Sequence, residues 1–192
     1  TLTGQAVLAS KMQTHMLDSQ LHSFGVALAV VSLVMIVLMR SAIIGLLAMI
    51  PNLLPIAIGL GAMTLIDIPL NPATVMIAAV ALGIVVDDTV HLMTAFERDV
   101  RSTGKVRAAI KSTLLEVGQP VMVTSVLLVA GFATLILGSF LPTRQVGGLV
   151  ALIVVAALIT DLIFLPAILR SMPDKLITKS LGRDERSLIK DY

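Results

Sequence analysis

The chain has 192 residues, of which 57% are hydrophobic and only 14% are charged, and its mean hydropathy is +1.00. A soluble globular domain is usually about 45–50% apolar and about 25% charged, so the composition excludes that class, and it also excludes a disordered chain. Cysteine is absent, which rules out a disulfide framework, a zinc–thiolate site and an iron–sulfur site. The small net charge of +2 comes with no basic stripe interleaved with aromatics, so we expect no nucleic-acid partner.

Long apolar runs follow one another along the chain, and each is long enough to cross a hydrocarbon core of about 30 Å as a helix. The runs are continuous and do not alternate with polar residues, which excludes barrel strands and favours helices. The sequence therefore predicts an all-α polytopic membrane bundle. The predicted transmembrane helices are residues 21–39, 42–66, 73–96, 121–141 and 145–169, with the end of an external (periplasmic) region at 1–20 and a cytoplasmic tail at 170–192.

The basic residues are distributed unevenly between the two sides of the predicted bundle. If the loop at 97–120 and the tail at 170–192 share one side, all of the 14 Lys and Arg residues except Lys11 and Arg144 fall on that side. Positive charge in short loops favours the cytoplasmic face of a membrane. We therefore expect a multi-pass protein of a bacterial or archaeal cytoplasmic (inner) membrane, with its N-terminal end external and its C-terminus cytoplasmic.

The cytoplasmic loop contains a segment with helical periodicity, residues 104–117. Val106, Ile110, Leu114 and Val117 fall on one helical face, while the basic residues of the segment lie elsewhere. This pattern predicts an amphipathic helix lying on the cytoplasmic leaflet. An ordinary solvated connector helix is the alternative.

Three carboxyl groups fall inside the predicted spans: Asp87, Asp88 and Asp161. Ionisable residues inside a membrane are costly and by default indicate function. Burial in a medium of low dielectric and repulsion between neighbouring carboxylates both favour the protonated form, which is what a proton-coupled transporter needs. We expect the three carboxyls to act as a proton relay, and a purely structural role for Asp161 is the alternative. The supporting polar residues of this cluster are predicted to be Thr89, Thr124, Ser125 and Thr160.

His91 stands four residues after Asp87 and three after Asp88, within side-chain reach of both on a helix. We include it in the proton relay, although an interfacial histidine without a role is the alternative. A metal site built from these three residues is disfavoured because consecutive ligands on one helix point apart. We therefore expect neither a metal nor a cofactor.

A stripe of residues spaced by four runs along one face of the third span. It consists of Ala79, Gly83, Asp87 and His91. Small residues on a membrane helix mark a face where a neighbouring helix approaches closely. The stripe is therefore predicted to be the packing face of the span, with Asp87 directed into the bundle.

Two prolines lie four residues apart in the second span, within Ile50-Pro-Asn-Leu-Leu-Pro55. Each removes a backbone donor and clashes with the carbonyl four residues before it, so the helix must bend. Broken helices are common in transporters. Pro51 and Pro55 are accordingly predicted to form a hinge, and a fixed kink that serves packing alone is the alternative.

The segment Gly83-Ile-Val-Val-Asp87-Asp88-Thr89-Val-His91 resembles the central motif of the resistance–nodulation–division (RND) superfamily, in its MMPL-like predicted exporter branch, which is related to Patched and to sterol-sensing domains. The resemblance continues in chain order from about residue 20 to 170. It includes Pro51-Asn52-Leu53-Leu54-Pro55, Gly118-Gln119-Pro120 with Thr124-Ser125, Gly131-Phe132, and Asp161 with Leu165-Pro166. The resemblance implies that the chain forms the second to sixth helices of one half of such a protein, the C-terminal half by its motif and tail.

The resemblance also implies an activity, namely efflux of hydrophobic or lipidic substrates driven by the proton-motive force. Asp87 and Asp88 match the acidic proton-relay motif of the superfamily, and Asp161 matches a polar position on the last helix. The implied partners are membrane lipids, the other RND half and an external domain, in an oligomer. A sterol-sensing-like regulatory module that binds lipid, and a protein-translocation accessory of the SecDF type, are the alternatives. We expect no enzyme, because the sequence offers no nucleophile–base–orienter set.

Overall fold

A computed structural model describes residues 2–69, 72–174 and 177. The helices are α1 (Leu2–Leu38), α2 (Ala42–Leu47), α3 (Ile50–Leu65), α4 (Pro72–Thr103), α5 (Val106–Glu116), α6 (Gly118–Thr134), α7 (Leu141–Ile159) and α8 (Leu165–Ser171). A 3-10 turn at Leu135–Leu137 continues α6, and a π-helical segment at Thr160–Phe164 joins α7 to α8. No strand occurs in these ranges, so the predicted all-α fold is confirmed.

The described residues contain five helical stretches that are long and apolar enough to span a membrane. They are Asp18–Leu38, Ala42–Leu65, Met76–Thr103, Gly118–Leu137 and Leu141–Ser171. Their number and order match the five predicted spans, so the membrane bundle is confirmed. The predicted external segment 1–20 is continuous with the first span, because α1 runs unbroken over 37 residues. Most of the predicted tail at 170–192 lies outside the described residues.

Two helices, α4 and α7, hold the bundle together. Helix α7 packs against α3, α4 and α6, and α4 in turn packs against α1, α3 and α5. One apolar cluster gathers around Phe96 and Met35, and a second gathers around Val85, Val150 and Ile153. The spans of α1 and α6 are only 6% and 11% buried, so most of their apolar surface is exposed. The buried middle of the bundle therefore lies among α3, α4, α7 and the π-helical segment.

Two glycines set the spacing of the central helices. A Cβ atom on Gly147 would lie 2.6 Å from the backbone oxygen of Phe132, so only glycine allows α7 to approach α6 this closely. A Cβ atom on Gly59 would collide with the side chain of Ile153, where α3 meets α7. The close contacts of α7 with α3 and α6 thus rest on Gly59 and Gly147.

The amphipathic pattern predicted for residues 104–117 corresponds to α5. Val106 is buried, and Ile110, Leu114 and Val117 are half-buried, as the pattern predicted. The centre of the buried face also contains the hydroxyl residue Thr113, which the pattern did not single out. Because no membrane bounds the structure, the leaflet contact of α5 stays a prediction.

Candidate intramembrane polar site

Three side chains from three different elements meet in the middle of the bundle: Asn52 of α3, Thr89 of α4 and Asp161 of the π-helical segment. Each of them is fully buried. Thr89 Oγ1 lies 2.7 Å from Asn52 Oδ1 and 2.8 Å from Asp161 Oδ1. Asn52 Nδ2 donates to the backbone oxygen of Ala48 at 3.0 Å, which leaves Oδ1 of the amide to face Thr89. The result is a continuous hydrogen-bonded chain, Asn52–Thr89–Asp161, inside the membrane span.

The hydrogen bonds of this chain are incomplete when the carboxyl is ionised. A threonine hydroxyl has one proton, and both an amide oxygen and a carboxylate are acceptors. Thr89 therefore has one proton for two acceptor oxygens, and the second oxygen of the carboxyl, Asp161 Oδ2, is buried without a hydrogen-bond partner among the described residues. Leaving a buried acceptor unpaired is costly. A proton on Asp161 would supply the second donor that these two hydrogen bonds require.

Proline chemistry brings the last helix and α3 together beside this carboxyl. Pro55 has no N–H, so the carbonyl of Pro51 loses its partner within α3. The hydroxyl of Thr160 lies 3.1 Å from that carbonyl oxygen and 2.9 Å from the carbonyl oxygen of Ala157, so it can donate to Pro51 in place of the missing N–H. On the other side, Pro166 has no N–H for the carbonyl of Leu162, which lies in the π-helical segment. Asp161 therefore occupies a stretch where both neighbouring helices depart from regular α-helix.

The second buried carboxyl belongs to Asp88, which is 9% exposed. Ser125 of α6 donates to Asp88 Oδ2 at 3.3 Å, so this predicted pair forms. The prediction for Thr124 is wrong, because its hydroxyl is exposed and bonds the carbonyl oxygens of Pro120 and Val121 in its own helix. Successive helical residues are rotated by about 100°, so only one of the two adjacent hydroxyls can face α4.

The stripe Ala79–Gly83–Asp87–His91 does not face the interior of this bundle, so that prediction is wrong for the described chain. The side chains of Asp87 and His91 are 74% and 66% exposed, and His91 Nε2 lies 3.6 Å from Asp87 Oδ1. A Cβ atom on Gly83 would meet nothing within 4 Å. The buried face of α4 is centred instead on Val85, Asp88 and Thr89.

Sequence reasoning missed the role of Asn52. The residue was noticed only as part of the segment between two prolines, although a carboxamide within an apolar run of twenty or so residues is itself a sign of a buried polar contact. No pattern in the sequence predicted the π-helical segment. Thr89 and Asp161 are joined by a hydrogen bond, whereas the hydroxyl of Thr160 contacts the backbone oxygens of Pro51 and Ala157. The role of these residues in proton transfer stays a prediction.

Comparisons with known proteins match most of the chain. Residues 5–171 match the family described as Patched SSD. Membrane protein MJ1562 of Methanocaldococcus jannaschii is 29% identical over 167 residues, which cover 87% of this chain and 43% of that protein. The chain thus spans less than half the length of this curated relative. No solved structure matches the chain.

Proposed function

We propose a function for this chain, which belongs to the Patched sterol-sensing-domain (SSD) family and is a multi-pass membrane module of that family. It is the transmembrane part of an exporter of hydrophobic or lipidic substrates. The proton-motive force across a bacterial or archaeal cytoplasmic membrane drives the export. The observation that carries the proposal is the fully buried carboxyl of Asp161, hydrogen-bonded through Thr89 to Asn52. Lipid binding alone gives no reason to keep an ionisable group at this depth, where its charge is expensive.

The proton has a definite place in this arrangement. Two hydrogen bonds, at 2.7 Å and 2.8 Å, link the three side chains and need two protons, of which Thr89 supplies one. A neutral Asp161 supplies the other and donates to Thr89, which then donates to Asn52. When the proton leaves, Thr89 faces two competing acceptors and the carboxylate is buried without a counter-ion. Proton release therefore weakens the contact between α3, α4 and the π-helical segment, which links protonation to helix packing.

The exposed side chains of Asp87 and His91 support a second membrane bundle as partner. An aspartate facing the bilayer centre costs about 2.5–3.5 kcal/mol on insertion scales, so this face of α4 needs a polar or protein cover. Gly83 leaves open space on the same face, which would admit a closely packed helix. The relative MJ1562 is more than twice the length of the matched region. We therefore assign the stripe Ala79–Gly83–Asp87–His91 to the interface with the other RND half.

A lipid-binding regulatory module is the second candidate function. A cavity of about 310 Å³ lies at the end of the bundle where α6 joins α7, with apolar walls that include Ile66, Leu149 and Leu152 and with Arg144 in its lining. Such a cavity could take an apolar ligand with a polar end. In that case Asp161 would only tie helices together, and no proton would move.

The test of the proposed function uses the protein in liposomes with a fluorescent sterol in the bilayer as probe. An imposed pH gradient should drive probe movement between leaflets, measured by chemical quenching from outside, and D161N should abolish it. The matched control is T94V, because the hydroxyl of Thr94 is exposed and bonds Val90 O within its own helix. If the wild type binds the probe but moves none with the gradient, and D161N binds equally well, the exporter proposal fails and the regulatory module takes its place.

A further inference from the structure

A small cavity lies between α4, α5 and the stretch from the π-helical segment into α8. Its walls are mostly apolar and include Phe96 and Leu165, yet two polar side chains line it, Asp161 and Thr113. Asp161 is fully buried and Thr113 is 4% exposed. The cavity thus connects the buried carboxyl to the amphipathic helix that follows α4.

Both polar side chains bring an unused hydrogen-bonding atom to this cavity. Asp161 Oδ2 and Thr113 Oγ1 are buried without a partner in the part of the chain that the structure describes. This is unusual for a helical threonine here, since others bond a carbonyl of their own α-helix, among them Thr64, Thr94, Thr103, Thr124 and Thr134. Buried polar atoms are normally paired with protein or with ordered water. The two free atoms therefore indicate a ligand that both can hydrogen-bond.

The size and chemistry of the cavity suit water. Its volume is about 20 Å³, and a site that holds a water needs roughly 10–15 Å³ and two or more polar partners. The carboxyl oxygen accepts a hydrogen bond, and the threonine hydroxyl can donate or accept one. Three of the lining residues, Ile110, Leu114 and Pro166, are only half-buried, so the cavity approaches the surface beside α5.

We propose that this cavity is a water site through which Asp161 exchanges its proton with the aqueous phase on the α5 side, with Thr113 as the residue that positions the water. The inference rests on the proposed function, because it supplies the access route that a proton-carrying Asp161 requires. The hydroxyl of Thr113 holds the water against Oδ2, while Oδ1 remains engaged with Thr89. The other titratable group near this carboxyl on a packed element is Asp88 of α4, which is held by Ser125.

The exchange step balances with water alone. On release, the O–H bond of the neutral carboxyl breaks and the proton passes to the cavity water, which becomes hydronium and hands a proton to bulk water at the rim. On loading, hydronium gives a proton to Oδ2 and reverts to water. Rotation of the carboxyl then presents the new hydroxyl to Thr89. No other donor or acceptor is required.

The experiment measures hydrogen–deuterium exchange of the carboxyl itself. Infrared difference spectra of the protein in lipid bilayers should show the carbonyl band of a protonated carboxyl, which D161N removes and so assigns. After transfer to D₂O the band shifts at a rate set by water access. In T113V, which keeps the shape of the side chain, the shift should be slower by about tenfold, the effect of losing one hydrogen bond from the exchange path. T113S should restore the wild-type rate, and T94V should match the wild type.

Each outcome separates this inference from the proposed function. Equal rates in T113V, T94V and wild type would overturn the water site while leaving Asp161 as the proton carrier. Absence of the Asp161 band in the wild type would overturn the proposed function, and the water site with it. T113V keeps the shape of the side chain and breaks no hydrogen bond to another described protein group. It should therefore fold like the wild type, so a slower shift cannot be ascribed to unfolding.

Discussion

The hydroxyl of Thr160 lies 3.1 Å from the carbonyl oxygen of Pro51, and it offers that oxygen a donor that Pro55, which has no N–H, does not supply. A defect in one helix is thus repaired by a side chain of another. The contact joins α3 to the π-helical segment one residue before Asp161. It therefore also sets the position of the buried carboxyl along the bundle relative to Asn52. The two prolines therefore serve as an attachment point between helices, whether or not they also act as a hinge.

This relationship predicts non-additivity between two substitutions. T160V leaves the buried carbonyl of Pro51 without a donor and should lower the free energy of unfolding by about 1–3 kcal/mol. In a P55A background the new backbone N–H of residue 55 supplies that donor, so T160V should cost clearly less. The measurement is a double-mutant cycle from unfolding in mixed micelles. Equal cost of T160V in both backgrounds would mean that the carbonyl does not depend on this hydroxyl.

The two kinds of glycine on the central helices should respond differently to an added methyl group. G147A places a Cβ atom 2.6 Å from the backbone oxygen of Phe132, so α7 must shift away from α6 and the chain should lose stability. G83A meets open space, and in a helix it should gain up to about 1 kcal/mol in the unfolding of this chain.

In the assembled protein a larger residue at position 83 should no longer be harmless, because Gly83 is assigned to the contact with the other half. A larger residue there, as in G83L, should weaken association of the two bundles without unfolding this one. Association can be followed by native mass spectrometry from detergent. Normal association of G83L would remove the stripe from the proposed interface.

The sequence allowed the bundle to be predicted, and the buried acids with it, for simple physical reasons. Continuous apolar runs of membrane length have few alternatives to a spanning helix, and a carboxyl within such a run needs protein around it. Which of Asp87 and Asp88 is buried could not be predicted. The stripe of small residues made one face of α4 look like the packing face, but the rotation of a helix is fixed by the neighbours it meets.

The hydrogen-bonded chain Asn52–Thr89–Asp161 shows a second limit of prediction from sequence. The sequence predicts Thr89 as a supporting polar residue, but its bond to Asn52 spans 37 positions of the chain, a relationship that no local pattern encodes. The π-helical segment precedes Pro166, which has no N–H to bond the carbonyl of Leu162. The backbone conformation of this turn depends on its packing against α3 as well as on its own sequence. Local sequence gave the polar residue types, and the tertiary contacts selected which of them meet.

Topology is a further prediction that labelling can check. The excess of Lys and Arg predicts that residues 97–120 lie in the cytoplasm and the α6–α7 junction lies outside. Single cysteines at Ser102 and Thr143 should react with a membrane-impermeant thiol reagent from opposite sides, Thr143→Cys in intact cells and Ser102→Cys only after the membrane is opened. Labelling of position 102 in intact cells would reverse the orientation. The native chain contains no cysteine that could interfere.

The adjacent acids Asp87 and Asp88 provide the last prediction, because the structure gives them different surroundings. Both D87N and D88N keep the size of the side chain and imitate a carboxyl that cannot release its proton. In D88N the amide oxygen can still accept from Ser125. In D87N only the exposed contact with His91 is changed, and even a charged pair at the surface is usually worth about 0–1 kcal/mol. Both variants should therefore fold with nearly unchanged unfolding free energies.

Gradient-driven movement of the fluorescent sterol should nevertheless stop in each variant, if both carboxyls belong to the relay. The comparison has a sharp internal control, since Asp87 lies on the exposed stripe and Asp88 faces Ser125 inside the bundle. Full transport by D87N with none by D88N would restrict the relay to the buried carboxyls and leave Asp87 with a contact role alone. Transport by both variants with an unchanged dependence on pH would contradict the relay altogether, and Asp161 with its hydrogen-bonded partners would then be a structural element of a lipid-binding module.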